Sequence, residues 1–247
     1  MENVKNEKVR IQKYLSQQGI LSRREAEAYI RDGRIRLNGK IVTQMGVQID
    51  PEKDSVEVLG GNAPAKSKSA VSGNKITVAV YKPRGIVCSR NNAEGKTIFE
   101  EFPKFGNLNA VGRLDKESEG LILLSNDGVV TAAVTGADHK VEKEYRVTTR
   151  EAIIERQIRR MEKGIMIDGQ KTLPARGKIL GDYSFSLIIS EGRNHQIRRM
   201  ADAVHLTIES FVRVRIGNIK LNNLKSGQSR ILSAGEVAGL KKLKLKA

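Results

Sequence analysis

The chain has 247 residues, enough for one large domain or two smaller ones. Lys and Arg total 44 against 28 Asp and Glu, which gives a formal net charge of +16. A field of this sign attracts polyanions, and we find no long basic amphipathic helix with bulky apolar anchors, so the predicted partner is nucleic acid rather than a membrane surface. Aromatic residues make up only 4%, which argues against a broad base-stacking platform.

Several signals are missing from the sequence. No apolar run reaches membrane-spanning length, and the polar segment from Met1 to Arg10 does not have the pattern of a signal peptide. The single cysteine, Cys88, excludes an internal disulfide and is too few for a thiolate metal site. We therefore expect a soluble protein of a reducing compartment, the cytoplasm, with no bound metal.

Residues 8–58 form a self-contained pattern. "VRIQKYLSQQG" predicts a helix that ends at Gly19, and "SRREAEAYIRDG" predicts a second helix that Ser22 caps. "RIRLNGKIV" alternates around Asn38 and Gly39, a strong signal for a hairpin, and "DSVEVL" supplies a last short strand. The expected product is a small helix-helix-hairpin domain.

Basic residues cluster in this small domain. They open the second predicted helix, where backbone N–H groups favour phosphate, and continue into the hairpin. As candidate RNA-binding residues we select Arg23, Arg24, Arg31, Arg34, Arg36 and Lys40. A merely solvated basic face remains the alternative.

Residues 60–74, "GGNAPAKSKSAVSGN", are rich in Gly, Ser, Ala and Lys and show no periodicity. This composition predicts a flexible, positively charged linker that lets two domains reorient.

From Lys75 to Ala247 the pattern is mixed. Strands are predicted in "KITVAVYKP", "EKEYRVTT", "YSFSLIIS" and "LTIESFVRVRIG", and helices in "NHQIRRMADAV" and "REAIIERQIRRMEKG". In the last of these we expect Ile153, Ile154, Ile158 and Met161 to share one apolar face. Because no repeat and no alternating βαβ series is present, the predicted class is α+β, with a largely antiparallel sheet and flanking helices.

Three acids stand out in "AVGRLDKESEGLILLSND": Asp115, Glu117 and Glu119. Predicted core strands on both sides anchor their loop, and such a loop can hold a reactive group still while exposing it. A solvated acidic turn is the alternative. A metal site is disfavoured, because a hard cation requires more oxygen ligands than "DKESE" offers.

Arginines and a tyrosine are the other candidates. "SEGRNHQIRRMADAV" enters a helix carrying Arg198 and Arg199, and an arginine held against Asp115 would keep that carboxylate ionised in a dry pocket. We therefore expect Asp115, alone among the three acids, to be buried near an arginine. The other interpretation is that these arginines only contact the phosphates of the RNA backbone. Tyr145 in "EKEYRV" is either core or a ring presented to a base.

Two family resemblances follow from these segments. "RIQKYLSQQGILSRREAEAYIRDGRIRLNGKIV" resembles the alpha-L type RNA-binding domain. "GRLDKESEGLILLSNDG", "KEY" and "EGRNHQIRRM" resemble the three signature segments of the RNA pseudouridine synthases, above all the branch that acts on ribosomal RNA and carries an N-terminal alpha-L domain. The resemblance implies an alpha-L domain over 8–58, a linker over 60–74 and a pseudouridine synthase catalytic domain over 75–247.

The resemblance also implies site residues. Asp115 matches the aspartate that acts on the target uridine, by attacking the sugar or by assisting a glycal intermediate. Tyr145 matches the tyrosine that stacks against the base, and Arg198 the basic residue that pairs with the aspartate. The implied substrate-binding residues are Arg113, Ile197 and Arg193. His195 receives no role.

Uridine isomerisation consumes and releases nothing, so the resemblance implies no cofactor. The implied partner is ribosomal RNA or a pre-ribosomal particle, bound by a monomer. "EGRNHQIRRM" and "VRVRIGNIKL" are more similar to the members that act on large-subunit RNA. Small-subunit RNA as substrate, a non-catalytic ribosome-assembly factor and a metal-dependent nuclease remain the alternatives.

Overall fold

The computed structural model describes residues 8–18, 20–21, 23–60, 75–136 and 141–243. These fall into two compact units, one holding the described residues up to Gly60 and one those from Lys75 onward. The predicted linker after Gly60 lies outside the described residues, as do the predicted helix end at Gly19 and the predicted cap at Ser22. Within them, no helix is long and apolar enough to cross a membrane.

The first unit contains two helices and short strands. Its elements are β1 Val9–Arg10, α1 Ile11–Gln17, α2 Arg23–Arg31, β2 Ile35–Leu37, β3 Lys40–Ile41, β4 Gln48–Ile49 and β5 Val56–Val58. The predicted hairpin is confirmed: Asn38 and Gly39 both have positive φ angles, 50° and 80°, as a two-residue turn of this kind requires.

The core of the first unit follows the helical period of its sequence. Ile11 and Leu15 on α1 face Ala26 and Ile30 on α2, and all four side chains have no exposed surface. Ile35 on β2 closes this core from the sheet side. Since β2 pairs with both β3 and β5, one face of a three-stranded sheet covers the helix pair.

The second unit is built on one large sheet with helices against it. Its strands are β6 Thr77–Lys82, β7 Asn109–Val111, β8 Glu119–Ser125, β9 Lys143–Thr149, β10 Met166–Ile167, β11 Gln170–Lys171, β12 Arg176–Gly181, β13 Ser184–Ile189, β14 Ile208–Ile216, β15 Ile219–Lys220 and β16 Ser229–Ile231. Its helices are α3 Ile98–Glu101, α4 Gly128–Thr135, α5 Glu155–Glu162, α6 Gln196–Asp202 and α7 Ala234–Lys242, and Pro103–Phe105 form a turn of 3-10 helix.

The sheet confirms the predicted α+β class. Among the described residues it has nine strands, with the order β12-β13-β9-β14-β8-β6-β16, while β7 and β15 pair with β8 and β14. Only the pair of β14 and β8 is parallel, and the other pairs are antiparallel. A single chain segment, β8, therefore joins the antiparallel half formed by β9, β13 and β14 to the half formed by β6 and β16.

Strand β8 is apolar on both faces, as the run "LILL" predicts. Leu121 and Leu123 pack on the side of α4 and α7, whereas Ile122 and Leu124 pack on the side of α3. All four side chains have no exposed surface. Burial on two faces fixes β8 firmly, and β8 follows directly on the loop that carries Asp115.

Gly120 makes the parallel contact of β8 with β14 feasible. Its φ is +109°, and a Cβ atom there would lie 2.5 Å from the carbonyl oxygen of Arg213 and 2.6 Å from its nitrogen. A larger residue would force the two strands apart. Gly120 thus allows the backbone of Arg213 to come close to the start of β8, immediately after the loop of Asp115.

One predicted helix was too long. Helix α5 begins at Glu155 instead of Arg150, because the Ile153 N–H donates to the Asp182 carbonyl, outside any helix. Ile154 is extended and 58% exposed, so its predicted place on the apolar face was wrong. Ile158 is buried there as expected.

Three helices that pack on the sheet, α3, α4 and α7, were not predicted. Asp127 caps α4, because its side chain accepts a hydrogen bond from the N–H of Val129. The tripeptide Asn126-Asp127-Gly128 is also typical of a turn. Ser233 and Glu236 form a capping box at the start of α7. Helices α4 and α7 cover the face of β8 that carries Leu121 and Leu123.

Candidate active site

A cleft of about 850 Å³ opens in the second unit. It lies where the loop between β7 and β8 meets the start of α6, above strands β9 and β14. Its lining includes each candidate residue predicted for catalysis or substrate binding in this unit: Arg113, Asp115, Tyr145, Arg193, Ile197 and Arg198. Elements that lie far apart in sequence therefore meet at one place.

Asp115 lies on the rim of the cleft rather than at its base. Its side chain is 47% exposed, and its Oδ2 lies 3.7 Å from Nε2 of His195. The prediction that Asp115 is buried beside an arginine was wrong. The cleft is open here, so water can solvate the carboxylate.

The other two acids of the loop point away from the cleft lining. Glu117 accepts a 2.8 Å hydrogen bond from Nε of Arg84, and this bond lowers the pKa of its carboxyl. Glu119 accepts from the Tyr81 hydroxyl at 3.4 Å. Burial, reinforced by this carboxylate, raises the pKa of Tyr81. Of the three acids, Asp115 alone lines the cleft.

Arg198 faces the same loop from α6 but contacts its backbone. Its Nη2 donates to the Glu117 carbonyl at 3.2 Å, and its guanidinium lies 5.6 Å from the centre of the Phe211 ring. The preceding turn is strained, since His195 has a left-handed backbone with a φ of 48°. This turn directs His195, which had been given no role, toward Asp115.

An aromatic pair forms part of the cleft floor. The rings of Tyr145 on β9 and Phe211 on β14 stack with centroids 4.9 Å apart and planes 9° from parallel. Tyr145 is 7% exposed and belongs to the core cluster, and it also lines the cleft. Its interpretation as core is confirmed, and the presentation of its ring to a base stays a prediction. Ile197 adds a buried apolar wall.

The two predicted substrate-binding arginines, Arg113 and Arg193, differ in whether their side chains are bound within the protein. Arg113 is exposed on the rim, immediately before Leu114 and Asp115. Arg193 is occupied within the protein, because its Nη1 and Nη2 donate to the carbonyls of Gln170 and Lys171 at 3.0 and 2.7 Å. Arg193 thus braces the wall of the cleft, whereas the rim position of Arg113 leaves its side chain available to a ligand.

A buried lysine holds the loop of Asp115 from below. Lys82, at the end of β6, has no exposed surface. Its ammonium donates to the carbonyls of Ser118 at 2.7 Å, Pro83 at 2.8 Å and Lys116 at 3.3 Å. Burial lowers its pKa, although nearby carboxylates, Asp115 among them, oppose this effect.

Replacing this lysine tests how the loop is held. We expect Lys82→Met to lower the free energy of unfolding by about 3 kcal/mol, since three carbonyls lose a charged donor. We expect turnover to fall as well, because the loop of Asp115 loses the hydrogen bonds that Lys82 donates to the Lys116 and Ser118 carbonyls. Denaturant unfolding and single-turnover assays measure both effects. Lys104→Met, the same exchange at an exposed position, should stay within about 0.5 kcal/mol of the wild type. Equal stability of the two variants would contradict this role.

Two more cations lie beside the aromatic pair. Lys143 is two residues before Tyr145 on β9, and Arg213 is two residues after Phe211 on β14, so all four side chains share the cleft face. Arg213 is 5% exposed, and it donates to the Leu121 carbonyl at 2.7 Å and to the Arg113 carbonyl at 3.2 Å. Burial, and then the charge of Arg213, lowers the pKa of Lys143.

The six basic candidates of the first unit lie on α2, on β2 and β3, and in the segments between them. Arg23, Arg24 and Arg31 are exposed on α2, and Lys40 is exposed on β3. Arg34 has internal partners: it donates to the Leu59 and Gly60 carbonyls and lies 4.0 Å from the centre of the Tyr29 ring.

Comparison with known proteins decides the family. The sequence profile described as RNA pseudouridylate synthase matches residues 76–203, and that of the S4 domain matches residues 9–54. The chain belongs to the RNA pseudouridine synthase family. The matched ranges fall one in each compact unit, and the residues of the cleft up to α6 lie inside the synthase match.

Relatives of this pseudouridine synthase match over almost its whole length. It is 31% identical to ribosomal large subunit pseudouridine synthase B of Bacillus subtilis, over 95% of this chain and 96% of that one. It is 33% identical to ribosomal small subunit pseudouridine synthase A of Pasteurella multocida, over 95% and 100%. A dual-specificity RNA pseudouridine synthase of Escherichia coli is 36% identical, over 95% and 79%.

A solved structure confirms the fold of this pseudouridine synthase. It is described as the crystal structure of a pseudouridylate synthase, is 32% identical, and matches with a TM-score of 0.67 over 94% of this chain and 99% of that one. The sheet, its flanking helices and the small N-terminal domain are therefore those of a pseudouridine synthase with an S4 domain.

Sequence reasoning missed three cleft residues, Lys143, Phe211 and Arg213, and it also missed Lys82, which binds the loop carbonyls. The period-two alternation of strands could have found three of them. In "KEY" the lysine shares a face with Tyr145, and in "SFVRVRIG" Phe211 and Arg213 alternate in the same way. Nothing in the sequence indicates that Lys82 reaches the loop carbonyls.

Proposed function

We propose that this enzyme converts uridine to pseudouridine at specific positions of ribosomal RNA, with large-subunit RNA as its substrate. The named relatives include enzymes of both ribosomal subunits, so the choice between subunits rests on the segments "EGRNHQIRRM" and "VRVRIGNIKL". We further propose that the protein acts in the cytoplasm as a monomer.

One observation carries the catalytic proposal. A carboxylate, an aromatic pair and an aliphatic wall line one cleft large enough for a nucleotide. Asp115 attacks the sugar or assists glycal formation, Tyr145 stacks against the uracil, and Arg113 on the rim holds the nucleotide out of its helix. Flipping a base out costs a few kcal/mol, which contacts between basic side chains and the RNA backbone offset.

The pocket suits an isomerisation that retains its leaving group. Once the bond between sugar and base breaks, the uracil rotates and rejoins the same sugar carbon through C5. Once a nucleotide fills the cleft, Ile197 and the stacked pair of Tyr145 and Phe211 shield that carbon from water. Arg198 supports both the aromatic pair and the loop, through Phe211 and the Glu117 carbonyl.

A non-catalytic ribosome-assembly factor would have little use for this cleft. Such a binder gains nothing from placing Asp115 where it repels phosphate. A metal-dependent nuclease is distinguished by chelation, since EDTA would abolish its activity but should leave uridine isomerisation unchanged.

Mapping pseudouridines tests the proposal in cells. A strain that lacks this gene should lose specific pseudouridines from its large-subunit RNA, and the wild-type gene should restore them while the Asp115→Asn gene should not. Loss from small-subunit RNA alone would contradict the subunit assignment. An unchanged map of both RNAs would contradict ribosomal RNA as the substrate.

We also propose that residues 8–58 are the RNA-docking domain and residues 75–247 the catalytic domain, joined by a linker over 60–74. The exposed arginines at the start of α2 carry the first assignment. On this proposal the S4 domain supplies much of the affinity for RNA, and the cleft supplies the chemistry.

Removing charge from the S4 domain should weaken RNA binding without harming the cleft. For the full chain with Arg23, Arg24 and Arg36 changed to Gln, we expect the slope of log K against log salt to fall by about 2. Turnover at saturating RNA should be unchanged. Deleting residues 1–74 should flatten the slope further. The control is Lys53→Gln, which removes an exposed lysine of the same unit. An unchanged slope in the triple variant would show that RNA docks elsewhere.

A further inference from the structure

Arg213 has a donor that nothing in the described residues satisfies. Its Nε and Nη1 bind backbone carbonyls, but its Nη2 is buried without a hydrogen-bond partner. A buried, unpaired guanidinium nitrogen is costly, and buried polar groups in native proteins are nearly always paired. Because Arg213 lines the cleft, the missing partner can come from a ligand.

The charge around Arg213 is also unbalanced. Neither Arg213 nor Lys143 has an ion-pair partner among the described residues, and the charge of Arg213 adds to burial in lowering the pKa of Lys143. Two cations that repel each other at a half-buried site form a strong site for an anion. The strand register fixes the two cations, since Tyr145 lies opposite Arg213 and Lys143 lies two positions before Tyr145 on β9.

We propose that Arg213, assisted by Lys143, binds the carbonyl edge of the detached uracil and stabilises it as an anion. This inference rests on the proposed isomerisation of uridine. A flat base fits a floor that Tyr145 and Phe211 form, whereas a hydrated phosphate fits the rim, where Arg113 is exposed. Arg213 is therefore assigned as a catalytic residue that contacts the reacting base.

The chemistry requires such a site. When the bond between N1 and C1′ breaks, its electron pair stays on the uracil, and N1, O2 and O4 share one negative charge. C1′ receives electrons from an oxygen of Asp115, or from the C2′–H bond as that proton leaves. C5 then bonds to C1′ as the Asp115 oxygen leaves that carbon with its electron pair, or, on the other route, as C2′ recovers its proton. The C5 proton departs to a base, and N1 takes up a proton. The cations lower the barrier to the first step by stabilising charge that is absent from bound uridine.

A leaving-group comparison tests this role. The substrates are ribosomal RNA transcripts made in vitro with uridine or with 5-fluorouridine, and mass spectrometry of the digested RNA follows the loss of each nucleoside in single turnovers. Fluorine withdraws electrons and stabilises the departing anion by itself, so cleavage then depends less on protein cations. A residue that only supports the fold would slow both substrates equally.

We expect Arg213→Met to slow uridine isomerisation by about 100-fold. Its affinity for RNA should stay within about twofold of the wild type. On 5-fluorouridine transcripts the deficit should shrink several-fold, and Lys143→Met should show a smaller loss with the same trend. Arg215→Met is the matched control, because Arg215 lies on the same strand but pairs with Glu142 and Glu144. It should keep the wild-type ratio between the two substrates.

The possible outcomes distinguish the proposed role of Arg213 from support of the loop and from binding of phosphate. Equal losses on both substrates would assign Arg213 to support of the loop, and a loss of affinity with a changed salt slope would assign it to phosphate; either overturns the inference. If circular dichroism shows Arg213→Met to be unfolded, the same comparison on Lys143→Met decides. A wild-type chain that isomerises no transcript would overturn the proposed function and this inference together.

Discussion

Asp115→Asn should abolish pseudouridine formation while leaving RNA affinity nearly intact. The substitution keeps the shape of the side chain but removes the carboxylate that attacks the sugar or assists glycal formation. We expect turnover below about one thousandth of the wild type, equivalent to about 4 kcal/mol of barrier. Because Asp115 is half exposed and free of buried partners, its loss should not unfold the protein. Single-turnover kinetics and filter binding on the same RNA measure both quantities.

The neighbouring acids provide matched controls for this variant. Glu117 binds Arg84 and Glu119 binds Tyr81, so neither carboxylate is directed into the cleft. Glu117→Gln and Glu119→Gln should therefore keep most of the activity. Turnover of Asp115→Asn within about tenfold of the wild type, equivalent to about 1.4 kcal/mol, would refute the assignment of Asp115.

Arg198→Ala should also cause a large loss of turnover. Its guanidinium joins the Glu117 carbonyl to the ring of Phe211, so truncation loosens both the loop of Asp115 and the aromatic floor. We expect turnover at saturating RNA to fall by about 100-fold, equivalent to about 2.7 kcal/mol. Arg198→Lys should lie between this variant and the wild type, since it restores charge but not the planar group that stacks on a ring.

The residue that follows Arg198 gives the control for this series. Arg199 binds the exposed Asp168 by two hydrogen bonds outside the cleft lining, and Arg199→Ala should change turnover little. Full activity in Arg198→Ala would remove Arg198 from the site. If Glu117→Gln proved as damaging as Arg198→Ala, the loop would act as a carboxylate cluster and the mechanism based on a single aspartate would be wrong.

Local sequence was sufficient for the fold class and for most elements. The hairpin at Asn38 and Gly39 follows from backbone preferences of neighbouring residues, and β8 follows from an apolar run that must be buried. These signals act over a few residues, so the chain carries them wherever it lies in space. Helix α5 shows the limit: five residues with helical spacing stayed outside the helix because the Ile153 N–H found a backbone partner at Asp182.

The motifs likewise predicted which side chains would gather. Asp115, Tyr145, Arg198, Arg113 and Ile197 all line one cleft, although only the three signature segments had singled them out. The motifs did not predict which of these side chains contact one another. Arg198 binds the backbone of the loop and His195 faces Asp115, since the strained turn at His195 sets the approach of α6. No short-range pattern encodes the angle at which a helix meets a loop of another strand.

Only the tertiary structure decided the charges beneath the site. Lys82 is a lysine in a strand, and its burial beneath the loop carbonyls depends on the pairing of β6 with β8. Arg213 reaches the cleft because Gly120 lets β14 approach β8 in parallel, a contact between residues more than ninety positions apart. Burial and hydrogen bonding determine what a charged group does, and both are set by the segments that surround it in space. The sequence by itself therefore determined the enzyme family and singled out the acid that lines the cleft, while the folded chain alone decided which cations line it without an ion pair among the described residues.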